Sequence, residues 1–256
     1  MSANKRIAVA GATGRVGRHA VDVLSERGYD VAAVSRSSGV DVVTGEGLAE
    51  ALTGVDAVID AATGASPERQ AATEFFTTAA ANLQRLGERA GVKQIVVVSI
   101  IGTDHFTAGY GAAKLAHEQA MLAGPLPVSI LRAAQFHEFV QQLVDWGRRG
   151  DVSYVTEMRT QLVAARSVAE ELVELATAAE PPANGSAISE IAGPREESMV
   201  AMARLLVERR GDPVRIEEWT NSDDPDSALN STDIVLPGPD AKLAGPTFEE
   251  WLDSTS

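Results

Sequence analysis

One tyrosine and one lysine of the chain have the spacing of an acid-base pair. Tyr110 and Lys114 lie four positions apart in a segment with helical periodicity, and Ser99 ends the apolar run that precedes it. Residues four apart share one face of a helix, so both side chains can reach one site beside the serine. A phenol has a pKa of about 10, and a neighbouring ammonium stabilises the phenolate and brings that pKa toward neutrality. The set predicts that Tyr110 donates a proton, Lys114 supports it, and Ser99 orients a carbonyl oxygen.

A glycine-rich segment, GATGRVG, follows the first apolar run and opens a helical pattern. Gly11 permits a tight turn, Gly14 lets the backbone approach a pyrophosphate, and Gly17 lets the helix pack on the strand. The helix N-terminus then offers unpaired N–H groups to phosphates. A purely structural turn is the alternative, but the strand-turn-helix context favours a dinucleotide-binding turn. Three further residues of the segment are candidate contacts: Thr13, Arg15 and Val16.

The residues after the second apolar run indicate which dinucleotide binds. Ser35, Arg36, Ser37 and Ser38 stand where an NAD site usually carries an Asp or Glu for the ribose 2′-hydroxyl. An arginine flanked by hydroxyl groups is instead suited to a 2′-phosphate. We therefore expect NADP(H) in preference to NAD(H), with Ser35, Arg36 and Ser37 in contact. Arg15 is either a second cation for the phosphates or an exposed first-turn residue.

These residues must be positioned by a sheet of parallel strands with helices on both faces. Short β-branched runs alternate with longer helical patterns, which indicates a doubly wound α/β fold. The predicted strands are Ile7 to Ala10, Val31 to Val34, Ala57 to Ile59, Ile95 to Val98 and Val128 to Leu131. The predicted helices include one that follows the glycine turn and ends at Gly28, one from near Arg69 to Ala90, and one from Tyr110 to Ala123.

After Leu131 the alternation of strand and helix patterns becomes less regular. Ser167 with Glu170 and Thr247 with Glu250 each have the spacing of a helix capping box. The stretch from Asn221 to Asp233 is rich in Asp, Ser and Asn, and predicts a solvated loop. We expect a single domain over residues 1–256, in which residues after about 133 contribute the sheet edge and a small C-terminal substrate lobe.

Composition excludes several classes of protein and site. The chain has 256 residues, 45% of them hydrophobic, and a net charge of −14, so its surface repels nucleic acid and acidic membranes. It has no cysteine and four histidines, none at ligand spacing, so we expect no thiol chemistry and no metal site. No apolar stretch approaches the roughly 20 residues of a membrane span, and MSANKR is read as a mature start. We expect a cytoplasmic protein whose partner is a small-molecule substrate.

The motifs together resemble one family over essentially the whole chain. GATGRVG, Ser99 and YGAAK are similar to the short-chain dehydrogenase/reductase superfamily, and VVVSIIGTDHF, ILRAAQFHEFV and LPGPDAKLAGPTFEEW resemble its atypical, NmrA-like NAD(P)-binding members. The resemblance implies a Rossmann-type fold and a supporting role for Asn82 at the catalytic site. It also implies that Ala61 and Ala62 pass beside the dinucleotide. Superfamily members commonly pair through the helices around the tyrosine, so the resemblance also allows a homodimer.

Four residues are candidate substrate contacts: His105, Gln135, Phe136 and His137. The function expected is the NADPH-dependent reduction of a small carbonyl, quinone or similar acceptor, with Tyr110 as general acid. A non-catalytic NADP(H)-binding sensor that acts through a protein partner is the alternative, because some atypical members lack the tyrosine or lysine. A third alternative is an epimerase or dehydratase that uses the cofactor transiently, but the sequence shows no sugar-nucleotide site that would support it.

Overall fold

The chain folds into alternating strands and helices, as its apolar periodicity predicts. A computed structural model describes residues 5–182, 185–220 and 224–255. The strands are β1 (Arg6–Ala10), β2 (Asp30–Val34), β3 (Ala57–Asp60), β4 (Gln94–Ile100), β5 (Val128–Ala133), β6 (Arg148–Arg149), β7 (Val152–Thr156), β8 (Arg159–Thr160), β9 (Ser186–Ala192), β10 (Glu197–Ser198), β11 (Arg215–Trp219) and β12 (Lys242–Leu243). The helices are α1 (Gly17–Glu26), α2 (Leu48–Ala51), α3 (Arg69–Ala90), α4 (Gly109–Leu122), α5 (His137–Gly147), α6 (Ala165–Thr177), α7 (Met199–Arg210) and α8 (Phe248–Thr255).

Seven strands form the central sheet, in the order β12-β9-β5-β4-β3-β1-β2. The ladders of β1 with β2 and β3, of β3 with β4, and of β9 with β12 are parallel. All four residues of β3 are buried, as expected for a parallel strand covered on both faces. The Rossmann-type α/β fold is confirmed, as are the five predicted strands and the helices after the glycine turn, near Arg69 and around Tyr110.

The chain divides into two compact units. The first contains Met1–Ser99, Gly109–Arg132 and Val168–Ser189, and the second contains Ile100–Ala108, Ala133–Ser167 and Glu190–Ser256. One boundary, at Arg132, lies close to the predicted start of the substrate lobe. Local patterns do not predict that the short segment before α4 joins the second unit.

In the first unit, α3 packs against α4 over much of its length. Buried Gln84 on α3 helps to join them, because its amide donates to the carbonyl of Met121 (2.7 Å) and accepts from the N–H of Leu126 (2.9 Å). A side chain at Gly124 would collide with Gln84, since a Cβ there would lie 2.2 Å from the amide carbon. Gly124 therefore lets the chain turn tightly over this contact before β5.

In the second unit, helices α5, α7 and α8 and strands β7 and β11 enclose a separate apolar cluster. Thr247 and Glu250 cap α8 as predicted, since each backbone N–H donates to the other residue's side chain. The box predicted from Ser167 and Glu170 is wrong, because α6 begins earlier, at Ala165. The N–H of Ala165 donates to the Glu138 carboxylate at 3.3 Å, so a distant residue supplies the cap.

The stretch from Asn221 to Asp233 is not a fully solvated loop. Residues 221–223 lie outside the described part of the chain, but residues 227–231 and 233–235 form 3-10 turns. Asp226 is buried, and its carboxylate accepts from the N–H groups of Thr107 and Ala108 and from the Thr107 hydroxyl, each at 2.7 Å. A buried carboxylate is stable when hydrogen bonds replace its water. Within the described ranges, no helix is long and apolar enough to cross a membrane.

The glycine turn predicts a steric difference between Gly14→Ala and Gly17→Ala. A Cβ on Gly17 would lie 2.1 Å from the Gly11 carbonyl oxygen, whereas one on Gly14 would lie 3.1 Å from it. We expect Gly17→Ala to lower the free energy of unfolding by about 1–3 kcal/mol, because backbone must move. Gly14→Ala is the matched control and should lower it less. Urea unfolding of both variants measures this, and equal losses would contradict the packing described.

Asp226 predicts a second difference in stability. Asp226→Ala leaves three hydrogen-bond donors without their acceptor, and we expect a loss of roughly 2–4 kcal/mol in the free energy of unfolding. Asp233→Ala is the control, because that carboxylate is 87% exposed and surface ion pairs contribute about 1 kcal/mol or less. Hydrogen exchange at the Thr107 and Ala108 amides should accelerate in Asp226→Ala alone.

Candidate functional site

The glycine turn lies directly against the end of β3. Gly11 has a φ of +75°, and a Cβ on it would lie 2.6 Å from the Ala61 carbonyl oxygen and 2.8 Å from the α-carbon of Ala62. The turn is closed by hydrogen bonds from Gly11 N–H to the Val34 carbonyl (3.0 Å) and from Gly14 N–H to the Gly11 carbonyl (2.8 Å). Only glycine fits this conformation and this contact. The turn therefore leaves backbone, and no side chain, where it meets Ala61 and Ala62.

No side chain caps the N-terminus of α1, where the Arg18 N–H donates to the Gly14 carbonyl (3.1 Å), so the positive end of the helix dipole faces an anion at the turn without a competing side chain. Val16 stands at this end with its side chain buried, and it therefore offers only backbone to a ligand. Thr13 is exposed on the turn, and Arg15 is half-buried. These features fit the pyrophosphate of a dinucleotide.

The segment after β2 is fixed by its serines. The Ser38 hydroxyl donates to the Ala33 carbonyl (3.0 Å) and accepts from the Ser35 N–H (3.1 Å), and the Ser35 and Ser37 hydroxyls lie 2.9 Å apart. Arg36 begins the 3-10 turn with its side chain exposed. The serines thus hold the backbone while the Arg36 guanidinium projects from it, a geometry that fits a 2′-phosphate.

Tyr110 lies in the first turn of α4, and its hydroxyl is 3.1 Å from the Thr63 hydroxyl. Burial raises the pKa of the phenol, and the Thr63 hydrogen bond and the charge of Arg15 only partly offset that effect. The prediction of a phenol with a lowered pKa is therefore wrong. The cation that favours the phenolate is Arg15, and the Lys114 ammonium is engaged elsewhere.

Ser99 stands near the C-terminal end of β4, as predicted. Its side chain is 3% exposed, and its hydroxyl is buried with no hydrogen-bond partner among the described residues. A buried hydroxyl without a partner is costly. The Ser99 hydroxyl therefore has unused hydrogen-bonding capacity at the end of β4.

Lys114 is buried and belongs to a chain of three polar side chains. Its Nζ donates to the Val98 carbonyl (2.8 Å) and lies 2.9 Å from Nδ1 of His117, whose Nε2 is 3.0 Å from the Asp60 carboxylate. The ammonium also lies over the Phe76 ring, 4.5 Å from its centroid. Burial lowers the pKa of Lys114 to about 8, and the charges of Asp60 and Glu118 act against that effect.

Asn82 is on α3, but the predicted supporting role at the catalytic site is not what its contacts show. Its amide nitrogen donates to the carbonyls of Val42 (3.0 Å) and Val43 (2.8 Å), and its oxygen accepts from Arg85 (2.9 Å). Both amide hydrogens are used on the segment that follows the Arg36 turn. Asn82 therefore fastens that segment to α3.

The predicted substrate contacts all lie in the second unit. His105 is exposed beside Asp104, and Gln135 and Phe136 are half-buried and pair with Val163. His137 is fully buried, and its Nε2 is 3.0 Å from the Pro246 carbonyl. Burial lowers its pKa to about 4, so the ring is neutral at physiological pH. Because its ring packs on Phe248 and Trp251, His137 is a core residue and the substrate prediction for it is wrong.

Four residues of the site were not predicted as such: Asp60, Thr63, Phe76 and His117. One signal was visible, because Asp60 ends a buried apolar strand at the edge where parallel strands place ligands. His117 lies three positions after Lys114 on the same helix, and no local pattern indicates its contact with Asp60. The contacts of Thr63 and Phe76 depend on tertiary structure and leave no local pattern.

Comparison with known proteins agrees with this geometry. The family model described as NAD(P)H-binding matches residues 11–179. No curated protein sequence matches the chain.

Solved structures of low sequence identity share the fold. MoeE5 in complex with UDP-glucose and NAD is 19% identical, with a TM-score of 0.72 over 98% of this chain and 100% of that one. A dTDP-4-dehydrorhamnose reductase from Clostridium acetobutylicum is 16% identical, with a TM-score of 0.73 over 98% and 99%. A short-chain dehydrogenase/reductase superfamily protein from Agrobacterium tumefaciens with bound NAD is 16% identical, with a TM-score of 0.63 over 97% and 90%.

The matched segment includes the glycine turn, the Arg36 turn, β3, β4 and the helix that carries Tyr110. The chain therefore belongs to the NAD(P)H-binding family and has the fold of the short-chain dehydrogenase/reductase superfamily.

Proposed function

We propose that this protein is an NADPH-dependent oxidoreductase that reduces a small carbonyl, quinone or similar acceptor, with Tyr110 as general acid. The observation that carries the proposal is the position of the Tyr110 phenol, in the first turn of α4 with its hydroxyl 3.1 Å from that of Thr63. A proton donor must be protonated before the reaction. Tyr110 meets that condition at neutral pH, because an ordinary phenol has a pKa of about 10 and burial raises the pKa of this one further.

Each residue of the candidate site has a separate role in the proposed reduction. A bound nicotinamide would supply the hydride to the acceptor carbon. Tyr110 gives its phenolic proton to the acceptor oxygen, and the buried Ser99 hydroxyl donates a hydrogen bond to that oxygen. The phenolate left behind is stabilised by the Thr63 hydroxyl and the Arg15 charge, and then takes a proton from solvent. We assign this electrostatic support to Arg15 instead of Lys114.

We propose NADP(H) in preference to NAD(H). Arg36 is exposed on a turn whose hydrogen bonds are made by its neighbouring serines, so its guanidinium is available to the 2′-phosphate, with Ser35 and Ser37 beside it. Gly11, Gly14 and Gly17, with the backbone of Thr13 and Val16, would hold the pyrophosphate. We also propose Lys114 as a contact for the nicotinamide ribose, and Ala61 and Ala62 as contacts for the dinucleotide.

His105, Gln135 and Phe136 are the proposed substrate contacts. The complex of MoeE5 with UDP-glucose makes a nucleotide sugar a further candidate, and the panel of substrates tested should include UDP-glucose and dTDP-sugars. A single NAD(P)-binding domain and a cytoplasmic location are also part of the proposal, and the resemblance allows, without requiring, a homodimer.

A sensor that binds NADP(H) without turnover is the second candidate. The observation that favours it is the engagement of the Lys114 ammonium with Val98 and His117, which leaves Tyr110 without the expected cation. In a sensor, cofactor binding persists and no acceptor is reduced. Turnover that depends on Tyr110 separates the two candidates.

Tyr110→Phe tests the proposed acid. Loss of a general acid typically lowers the rate by about 10²- to 10⁴-fold, and we expect kcat to fall within that range while the Kd for NADPH stays within threefold or so. NADPH oxidation against quinones, aldehydes, ketones and nucleotide sugars measures the rate, and fluorescence titration measures binding. Tyr154→Phe is the control, because that tyrosine is 41% exposed in the second unit. Turnover indifferent to Tyr110 would rule out the assigned mechanism.

Arg36→Ala tests the cofactor preference. Hydrogen bonds to charged groups contribute about 1.5–3 kcal/mol, so the Kd for NADPH should rise roughly 10- to 100-fold while the Kd for NADH changes little. Arg204→Ala is the control, since Arg204 is exposed on α7. Isothermal titration of both cofactors gives the ratio. If wild type binds the two cofactors equally, the preference for NADP(H) is wrong.

A further inference from the structure

The buried chain of Asp60, His117 and Lys114 has only one consistent hydrogen-bond direction. An ammonium has donors and no acceptor, so Nδ1 of His117 must accept from Lys114. The proton of the neutral imidazole is then on Nε2, which donates to the Asp60 carboxylate. All three side chains are 5% exposed or less. The imidazole therefore relays an attraction between two opposite charges that do not touch.

The surroundings of the ammonium add little competing charge. Val98 offers its carbonyl from β4, and Phe76 offers its ring face from α3, where it also stacks on His117 with centroids 4.7 Å apart. Glu118 on α4 is buried, but its carboxylate is paired with Arg132 through two hydrogen bonds of 3.1 and 2.8 Å. Asp60 is thus the carboxylate joined to Lys114 by a continuous hydrogen-bonded path.

The path also joins parts of the site that the sequence separates. Asp60 is followed by Ala61 and Ala62, against which the glycine turn packs, and its second oxygen accepts from the Ala62 N–H at 3.0 Å. At the other end, Lys114 holds the carbonyl of Val98, the residue before Ser99. A charge fixed at Lys114 therefore lies beside the strand that presents the candidate catalytic serine.

We propose that Asp60 and His117 are positioning residues that hold Lys114 as a fixed, protonated ammonium against β4. The inference rests on the proposed function for its role in reduction, but the buried chain itself does not require any substrate. Asp60 supplies the compensating charge, and His117 supplies the correct geometry by bridging the two ends.

The pKa directions agree with this arrangement. Burial lowers the pKa of Lys114 to about 8, and Asp60 is the first of the charges that oppose burial. Burial and the Lys114 charge lower the pKa of His117, which keeps the imidazole neutral. Removing the Asp60 charge removes an influence that raises the pKa of Lys114. The ammonium should then lose its proton at lower pH.

The chain has only four lysines, which makes a direct titration practical. We would label lysine at the ε-carbon and follow its NMR signals with pH, and the signal lost in Lys114→Arg identifies Lys114. We expect a wild-type midpoint near 8. In Asp60→Asn the midpoint should fall by at least about one pH unit, a tenfold change in proton affinity. An unchanged midpoint in Asp60→Asn overturns the proposal.

Two substitutions of His117 separate bridging from packing. Gln carries both an acceptor and a donor and can restore the path, whereas Phe fills the stack on Phe76 without polar atoms. The Lys114 midpoint should stay close to wild type in His117→Gln and fall in His117→Phe. Equal midpoints in the two variants overturn the bridging role. These variants also test the proposal if Asp60→Asn does not fold.

A control carboxylate lies at the opposite end of β3. Asp56 precedes β3 and pairs with Lys93 at 2.7 Å, with no link to Lys114 in the contacts described above. Asp56→Asn should leave the Lys114 midpoint unchanged. A shift as large as that in Asp60→Asn would mean that general charge, and not the path, determines the midpoint.

The pH profile of turnover tests the role in reduction. The alkaline limb of kcat should move to lower pH in His117→Phe together with the NMR midpoint, and should stay in place in His117→Gln. An NMR midpoint that moves without the limb removes the catalytic part of the inference. Absence of turnover in wild type counts against the proposed function alone, because the NMR titration still tests the buried chain.

Discussion

Close contact between backbone atoms at the glycine turn sets the geometry of the first unit. The carbonyl of Gly11 lies where a side chain on Gly17 would stand, and Gly11 itself lies against Ala61 and Ala62. The end of β1, the start of α1 and the end of β3 are therefore held within van der Waals contact. Asp60 comes immediately before the touching residues, so the same contact determines where its carboxylate lies. The positions of His117 and Lys114 follow from it, because hydrogen bonds join them to that carboxylate.

The acidity of the chain makes local positive charge important. With a net charge of −14, the molecule as a whole repels the phosphates of a dinucleotide. The uncapped N-terminus of α1, half-buried Arg15 and exposed Arg36 concentrate positive potential near the turn. Binding of an anionic cofactor to such a molecule depends on these short-range groups, because screening by salt leaves close contacts least affected.

Features with a local cause were predictable from the sequence. The glycine turn, the five strands and the helices around Arg69 and Tyr110 follow from periodicity, caps and turn residues. Features that depend on distant residues were not. The start of α6 moves to Ala165 because Glu138 caps it, and the Lys114 ammonium is held by the Val98 carbonyl and by His117, which is itself hydrogen-bonded to Asp60. A Tyr-x-x-x-Lys spacing specifies a shared helical face, but burial and remote partners decide what each side chain contacts.

The hydrogen bonds of Asp226 also affect the order in which parts of the chain reach their final structure during synthesis. Thr107 and its carboxylate partner are separated by 119 residues, so the segment before α4 leaves the ribosome long before its acceptor exists. At about 5–20 residues per second, that interval is on the order of 10 s. The strands and helices of the first half can pair during this period, while Thr107 and Ala108 still lack the Asp226 carboxylate that accepts their hydrogen bonds. The loop that leads to the candidate acid is thus among the last parts of the nascent chain to acquire its final hydrogen bonds.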